Sequence, residues 1–287
     1  MKKAYLMLMI LISTTMAGQT EKFEQKYNLL VSKLGPAGVG VETVLNNWEK
    51  VDSTDEKLLQ ARFEYYYNKG RSSQIVTKEA KKYLGMDPVL TLKDSLGKPV
   101  YYYQEPVFDD ELYGQALAAA DKAVACYPDK LDFRFLKANA YIVYEKESPD
   151  MALAYLISLA KEDASRQRPW VYGGEKVEEG FFADAMQEYC YSFYSIGSPD
   201  AYSAFKELSE LMLKLNPKNY EYLNNIGTYY MVAESDYKAA LKCYNKVLKK
   251  YPDDYTALQN AAIAYRKVGK GKKSMECLEK LNRLKNK

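Results

Sequence analysis

Pro128, Pro217 and Pro252 each stand ten residues before a small residue (Ala138, Gly227, Ala262) and thirteen before a tyrosine (Tyr141, Tyr230, Tyr265). A spacing kept three times is a repeat signature. Pro217 and Pro252 are 35 residues apart, whereas Pro128 precedes Pro217 by 89, so diverged material separates the first copy from the other two. The expected fold is an array of helical hairpins, an architecture that binds through a concave surface and seldom does chemistry.

The first residues are set aside before any reasoning about the fold. Lys2 and Lys3 form a short positive region ahead of an apolar stretch from Tyr5 to Ile12, and small or polar residues follow to Ala17. This pattern predicts a secretory signal over residues 1–18, cut after Ala17 or Gly18. The apolar run is shorter than the roughly 20 residues a membrane-spanning helix needs, so no stable membrane insertion is expected after cleavage. The nearest cysteine to the cut is Cys126, which leaves no residue to carry a lipid anchor.

Loss of Lys2 and Lys3 leaves 39 basic against 38 acidic residues, a balance that implies no bulk affinity for nucleic acid. The chain has no histidine, and its four cysteines contain no CxxC pair. Most zinc and redox patterns are thereby excluded, together with Ser-His-Asp and Cys-His catalysis, and no cofactor is implied. Cys243 and Cys277 hold matching positions in consecutive units. Stacked equivalent helices lie about 8–10 Å apart, too far for a disulfide, so both are read as small buried residues.

Apolar periodicity predicts helices over 20–34, 41–51, 55–69, 110–126, 131–146, 149–163, 177–196, 200–215, 220–233, 236–250, 255–268 and 271–284. Gly35-Pro36-Ala37-Gly38 interrupts the first pair, and the two Ser-Pro-Asp triplets at 148–150 and 198–200 read as helix starts. The segment 70–108 differs in character. Within it, residues of about 86–104 predict a short β-hairpin, with strands at 89–92 and 100–103. Residues 164–176, which hold Trp170, read as a long loop. The resulting division is a signal (1–18), N-terminal helices with a hairpin insertion (19–109) and a helical repeat array (110–287).

The array resembles the tetratricopeptide repeat, a helix–turn–helix unit of about 34 residues. In 220–254, Leu223, Ile226, Gly227 and Tyr230 fall on the first helix where that family has large, large, small and aromatic residues; Ala240, Tyr244 and Pro252 match its second helix. Residues 255–284 repeat the pattern with Leu258, Ala261, Ala262, Tyr265, Ser274, Leu278 and Leu281. The match weakens toward the N-terminus, where Arg134 and Lys137 stand at apolar positions and the first helix of the earliest unit lies across the insertion, at 55–69. The resemblance implies an all-α, right-handed superhelical solenoid, here with a small β-hairpin insertion.

It also implies a groove lined by the exposed side of each first helix. Carried onto this chain, those positions are Phe135, Asn139, Ile142 and Val143, then Asn224, Thr228, Met231 and Val232, then Gln259, Ile263, Arg266 and Lys267. Any one of them also fits an ordinary packing or solvated position. Of the 28 tyrosines most are assigned to the core, while Tyr101 and Tyr103 of the hairpin, and Trp170 with Tyr172 of the loop, are candidates for a second, aromatic contact surface. Acidic groups at Asp109-Asp110-Glu111 and Glu178-Glu179 fit helix starts better than catalysis. The expected function is non-enzymatic binding of a protein or peptide in a bacterial cell envelope, in the periplasm, at the cell surface or secreted. The alternative is a glycan-binding accessory protein.

Overall fold

Proline disfavours a helical conformation in the residue before it, and this bias ends three helices in the same way. A computed structural model describes residues 2–285, with side chains from residue 18 onward. In it Tyr127, Asn216 and Tyr251 adopt φ/ψ of −127/65, −127/78 and −122/83, and each donates its N–H to the carbonyl four residues back. The turns that follow are closed by Lys130, Asn219 and Asp254, whose N–H groups each reach the carbonyl three residues earlier at 3.1 Å. The recurring proline is thus a recurring turn of fixed shape.

The helices are α1 (Lys2–Leu34), α2 (Val41–Val51), α3 (Glu56–Gly70), α4 (Asp110–Cys126), α5 (Leu131–Glu145), α6 (Asp150–Ser165), α7 (Phe181–Ile196), α8 (Pro199–Leu215), α9 (Glu221–Val232), α10 (Tyr237–Lys250), α11 (Tyr255–Lys267) and α12 (Gly271–Lys285). Helix α1 begins well before residue 20 and runs without a break into the expected mature chain. The side chains of the expected signal, residues 1–17, and the last two residues of the basic tail lie outside the described residues. Among the described residues no helix is long and apolar enough to cross a membrane.

The repeats pack as their small residues require. Gly227 on α9 faces α10 so closely that a Cβ there would lie 2.7 Å from the Tyr244 ring and 3.1 Å from the Cys243 Cβ. In the next unit Ala262 is buried, and Ser274 of α12 donates to its carbonyl at 2.7 Å. Across the insertion, α3 and α4 form the earliest hairpin, joined by Phe63, Tyr113, Ala116 and Ala120 and by a backbone bond from Asp109 N–H to the Gly70 carbonyl at 2.8 Å. Ser198 caps α8 as expected. Ser148 does not cap α6; the Glu145 carboxylate reaches over and accepts the Met151 and Ala152 N–H groups instead.

The insertion is a three-stranded antiparallel sheet rather than a two-stranded hairpin: β1 (Arg71–Lys78), β2 (Leu90–Lys93) and β3 (Pro99–Phe108), in the order β1-β3-β2. Strand β3 continues through Pro106 because it pairs with β2 only as far as Tyr102, so the proline lies where one side of the strand is open. The expected loop at 164–176 contains a second, minimal hairpin, β4 (Val171–Tyr172) and β5 (Glu175–Lys176). All four cysteines are free; Cys277 is buried and Cys243 half-buried.

Two outcomes follow. Gly227→Leu forces the Tyr244 ring aside, and overpacking of this kind costs about 1–3 kcal/mol, so thermal melting should drop by several degrees; an unchanged melt rejects the α9–α10 contact. Thiol titration of the denatured chain should count four free thiols, and any deficit contradicts the packing of the cysteines.

Candidate functional site

Side chains at i, i+4 and i+7 share one face of a helix, and on α5 these are Phe135, Asn139 and Ile142. They span about 10 Å along the axis at 1.5 Å per residue. Asn139 is exposed, while Phe135, Ile142 and Val143 are half-buried. The two ends of this strip are bounded differently.

At the Phe135 end stands the β4–β5 hairpin. Val171 N–H bonds the Asp129 carbonyl at 2.9 Å and Gly173 N–H bonds the Asp132 carboxylate at 3.0 Å, which fixes the hairpin against the start of α5. Tyr172 then sits 5.8 Å from Phe135 and 5.2 Å from Phe181, ring centre to ring centre, and remains exposed. Two residues expected at separate sites, Phe135 and Tyr172, therefore meet. Trp170 does not join them at the surface as expected. It is 3% exposed, with the Arg166 guanidinium 3.5 Å and the Arg134 guanidinium 4.9 Å from its ring centre and its N–H donated to Asp163 at 2.8 Å. Trp170 is a clasp for the hairpin, and Arg134, which stood at an expected apolar position of a repeat helix, is one of its two stacking partners.

At the Ile142 end stands the sheet. A cleft of about 730 Å³ opens between β1 and β3, the 84–89 loop, the last turn of α5 and the end of α7; Leu84, Met86, Val89, Ile142, Val143 and Ile196 supply apolar walls, and Arg71, Asp87 and Lys146 supply charge. Gly85 seats the loop at φ +75°, where a Cβ would come within 2.6 Å of the Ser195 carbonyl oxygen. Tyr103, expected to be exposed, is 1% exposed: Tyr83 covers it edge-on at 5.5 Å and its hydroxyl donates to the Ala80 carbonyl at 2.7 Å. Tyr101 is half-buried beside it.

One buried carboxylate joins the sheet to the solenoid. Glu105 accepts from Tyr83 (2.7 Å) and Gln74 (2.9 Å) and pairs with Lys146 at 2.9 Å. Burial alone would raise its pKa, but the three donors outweigh burial and hold it at about 2. Burial and the same carboxylate push the Tyr83 hydroxyl up. Lys146 ends α5 at φ 56°, a conformation that costs a non-glycine residue roughly 1–3 kcal/mol, and the ion pair retains it there.

Farther along, the groove positions diverge. Asn224 is buried, with its amide on Asp254 (3.2 Å), the residue that caps α11. Thr228 donates to the Asn224 carbonyl at 2.9 Å and accepts from Asn260 at 3.3 Å. These two positions stitch one repeat to the next instead of facing a ligand. Gln259, Arg266 and Lys267 on α11 are exposed.

The repeated pre-proline turn and the small-residue contact at Gly227 decide the architecture. The chain has a tetratricopeptide-like fold. Two crystal structures of MamA align with it at TM-scores of 0.36 and 0.36, with 16% and 15% identity over 60% and 62% of this chain and 82% and 91% of theirs. The crystal structure of the P58(IPK) TPR domain aligns at a TM-score of 0.32 with 13% identity, over 93% of this chain and 61% of that one. No family model matches the sequence, and neither does any curated protein.

A carboxylate with a depressed pKa contributes stability that is complete above its ordinary value of 4.5 and is lost as pH falls toward 2. Glu105→Gln should therefore cost roughly 1–3 kcal/mol in urea unfolding at pH 7, with the deficit shrinking between pH 4.5 and 2. A deficit that does not change with pH would refute the ion-pair anchor.

Proposed function

We propose that the chain is an exported, non-enzymatic interaction protein of a bacterial cell envelope, and that it holds an extended segment of a partner protein along α5. The observation that carries this reading is the continuity of the strip: an aromatic end at Tyr172 and Phe135, the exposed Asn139 amide between, and the mixed cleft at Ile142, Arg71 and Lys146. Apolar walls with a few polar groups suit a peptide, whose backbone needs hydrogen bonds and whose side chains need pockets. Among the described residues Asp87 is the one carboxylate lining the cleft, which gives general acid–base chemistry no pair to work with there. The near balance of charge favours a protein over nucleic acid.

The glycan alternative rests on flat, exposed aromatic platforms. Tyr172 is tilted 57° to Phe135 and 39° to Phe181, while Trp170 and Tyr103 are buried, so these rings offer no such platform. Export rests on Lys2, Lys3, the apolar run and Ala17.

Crosslinking capture from envelope extract tests the groove. A defined protein should be held by the wild-type chain, lost by a Phe135→Ala, Asn139→Ala, Ile142→Glu variant and retained by Arg266→Ala, Lys267→Ala; the reverse pattern would move the site to α11, and capture unaffected by either would reject the groove. Export predicts that the chain recovered from a bacterial periplasm or medium begins at Gly18 or Gln19, and an intact Met1 there would refute the signal.

A further inference from the structure

Strand β3 has an edge that β2 covers only in part. It pairs with β1 in unbroken register from Tyr101 to Phe108, but with β2 only from Pro99 to Tyr102. Asp109 N–H bonds the Gly70 carbonyl across the first ladder, and Val89 N–H bonds the Tyr102 carbonyl across the second. Backbone groups of successive residues point to opposite edges of a strand, so the odd-numbered residues of β3 turn to β1 and the even-numbered ones to the β2 side. Past Tyr102, the N–H and C=O of Gln104 and the C=O of Pro106 therefore point where β2 has ended, and among the described residues no group pairs with them.

This edge is open to an outside chain. Gln104 is exposed, and it lines the cleft together with Pro106, with Met86 and Val89 of the segment leading into β2, and with Ile142 and Val143 of α5. The edge offers a donor and an acceptor at one residue and a further acceptor two residues on, a spacing that an extended polypeptide backbone repeats. The side chains set its sense. Tyr103 and Glu105 face the solenoid, Tyr103 buried and Glu105 paired with Lys146 at the end of α5. A strand residue placed beside Glu105 sends its side chain the same way, toward Ile142 and Val143, and its two neighbours share the outer face with Gln104 and Pro106.

We propose that the partner segment enters the cleft as a fourth strand, antiparallel to β3 and in line with β2, with an apolar residue beside Glu105 and backbone bonds to Gln104 and Pro106. This rests on the α5 reading and adds to it how the segment is held at the Ile142 end. Main-chain bonds along the edge supply affinity, and the apolar wall of α5 selects the central side chain.

The probe is acetyl-Ser-Thr-Val-Thr-Ser-amide, followed by a ¹H–¹⁵N correlation spectrum of the full chain. The Gln104 amide should shift saturably and exchange its hydrogen more slowly, while Thr77, whose N–H faces the outer edge of β1, stays in place. Glycine for the valine should weaken binding about tenfold. N-methylation of both threonines should abolish binding and N-methylation of the valine should not, because the valine N–H faces away from β3. Gln104→Pro deletes the edge donor without touching the β1 ladder and should lose the peptide, read at the Glu105 signal; should that variant not fold, the N-methylated pair carries the same test. No saturable Gln104 shift at millimolar peptide, an equal shift at Thr77, or equal binding of the two N-methylated forms overturns the proposal. A captured protein that Gln104→Pro retains, but that the Phe135→Ala, Asn139→Ala, Ile142→Glu variant loses, overturns the added strand and leaves the α5 reading standing. Peptide binding at Gln104 with capture indifferent to the triple variant does the reverse.

Discussion

The distance between α9 and α10 is set by a missing side chain. With hydrogen at position 227, the Tyr244 ring lies against the α9 backbone, its hydroxyl 3.2 Å from the Thr228 hydroxyl. The hairpin closes to backbone contact on one side, and its other sides are left to neighbouring repeats and to the groove. Because the pre-proline turns at Tyr127, Asn216 and Tyr251 share one geometry, each hairpin hands the chain to the next at a similar angle. Close packing within a unit and a fixed turn between units are enough to build a solenoid. Everything proposed about binding depends on the faces this arrangement leaves outward.

The strip along α5 is nevertheless not a plain repeat groove. Both of its ends are made by material that no repeat supplies, the β4–β5 hairpin at Phe135 and the three-stranded sheet at Ile142. Each is held by a buried charged or polar group with several partners: Trp170 between two guanidiniums and Asp163, and Glu105 among Tyr83, Gln74 and Lys146. Removing one partner from such a cluster leaves the others buried and unpaired, so detaching either element costs several interactions at once. The strip has a defined length because both ends are pinned.

Helix periodicity made nearly every helix legible in the sequence, since apolar spacing and proline breaks are local signals. What it hid was long-range. Strand β1 opens with Arg71, Ser72, Ser73 and Gln74, which show no alternation of apolar and polar residues; its strand character comes from pairing with β3, some 30 residues later. Trp170 looked available for contact because the arginines that cover it are a turn or a helix away in sequence. Asn224 occupied a groove position by register, yet Asp254 caps α11 with one oxygen and takes the Asn224 amide on the same atom, so the position turns inward. Glu145 displaced Ser148 as the cap of α6 for a similar reason: a carboxylate five residues before the helix start outcompetes an adjacent hydroxyl once the turn brings it over. At Trp170, Asn224 and Ser148 a local pattern was overruled by a stronger charged partner.

The cores explain how sites along one chain can act separately. Tyr27, Val44, Leu45, Trp48, Leu58 and Tyr65 form an N-terminal cluster, while Met186, Phe193, Phe205 and Leu208 belong to a central one and Tyr244, Leu258 and Tyr265 to a third. In a solenoid each unit contacts its neighbours alone, so stability is close to a sum of local terms. The N-terminal cluster reaches the strip at Phe135 and Ile142 through α3 and α4, by the aromatic packing at Tyr67, Phe108, Tyr113 and Tyr144 and by Leu59, Ala123 and Phe133. Phe108 is the last residue of β3 and Tyr144 the penultimate residue of α5, so this ring cluster touches both walls of the cleft. Coupling between the N-terminal cluster and the strip needs a connecting element with two arrangements, and the tight stacking of Tyr113 on Tyr144 at 4.1 Å and 11° offers one arrangement at that point of the connection.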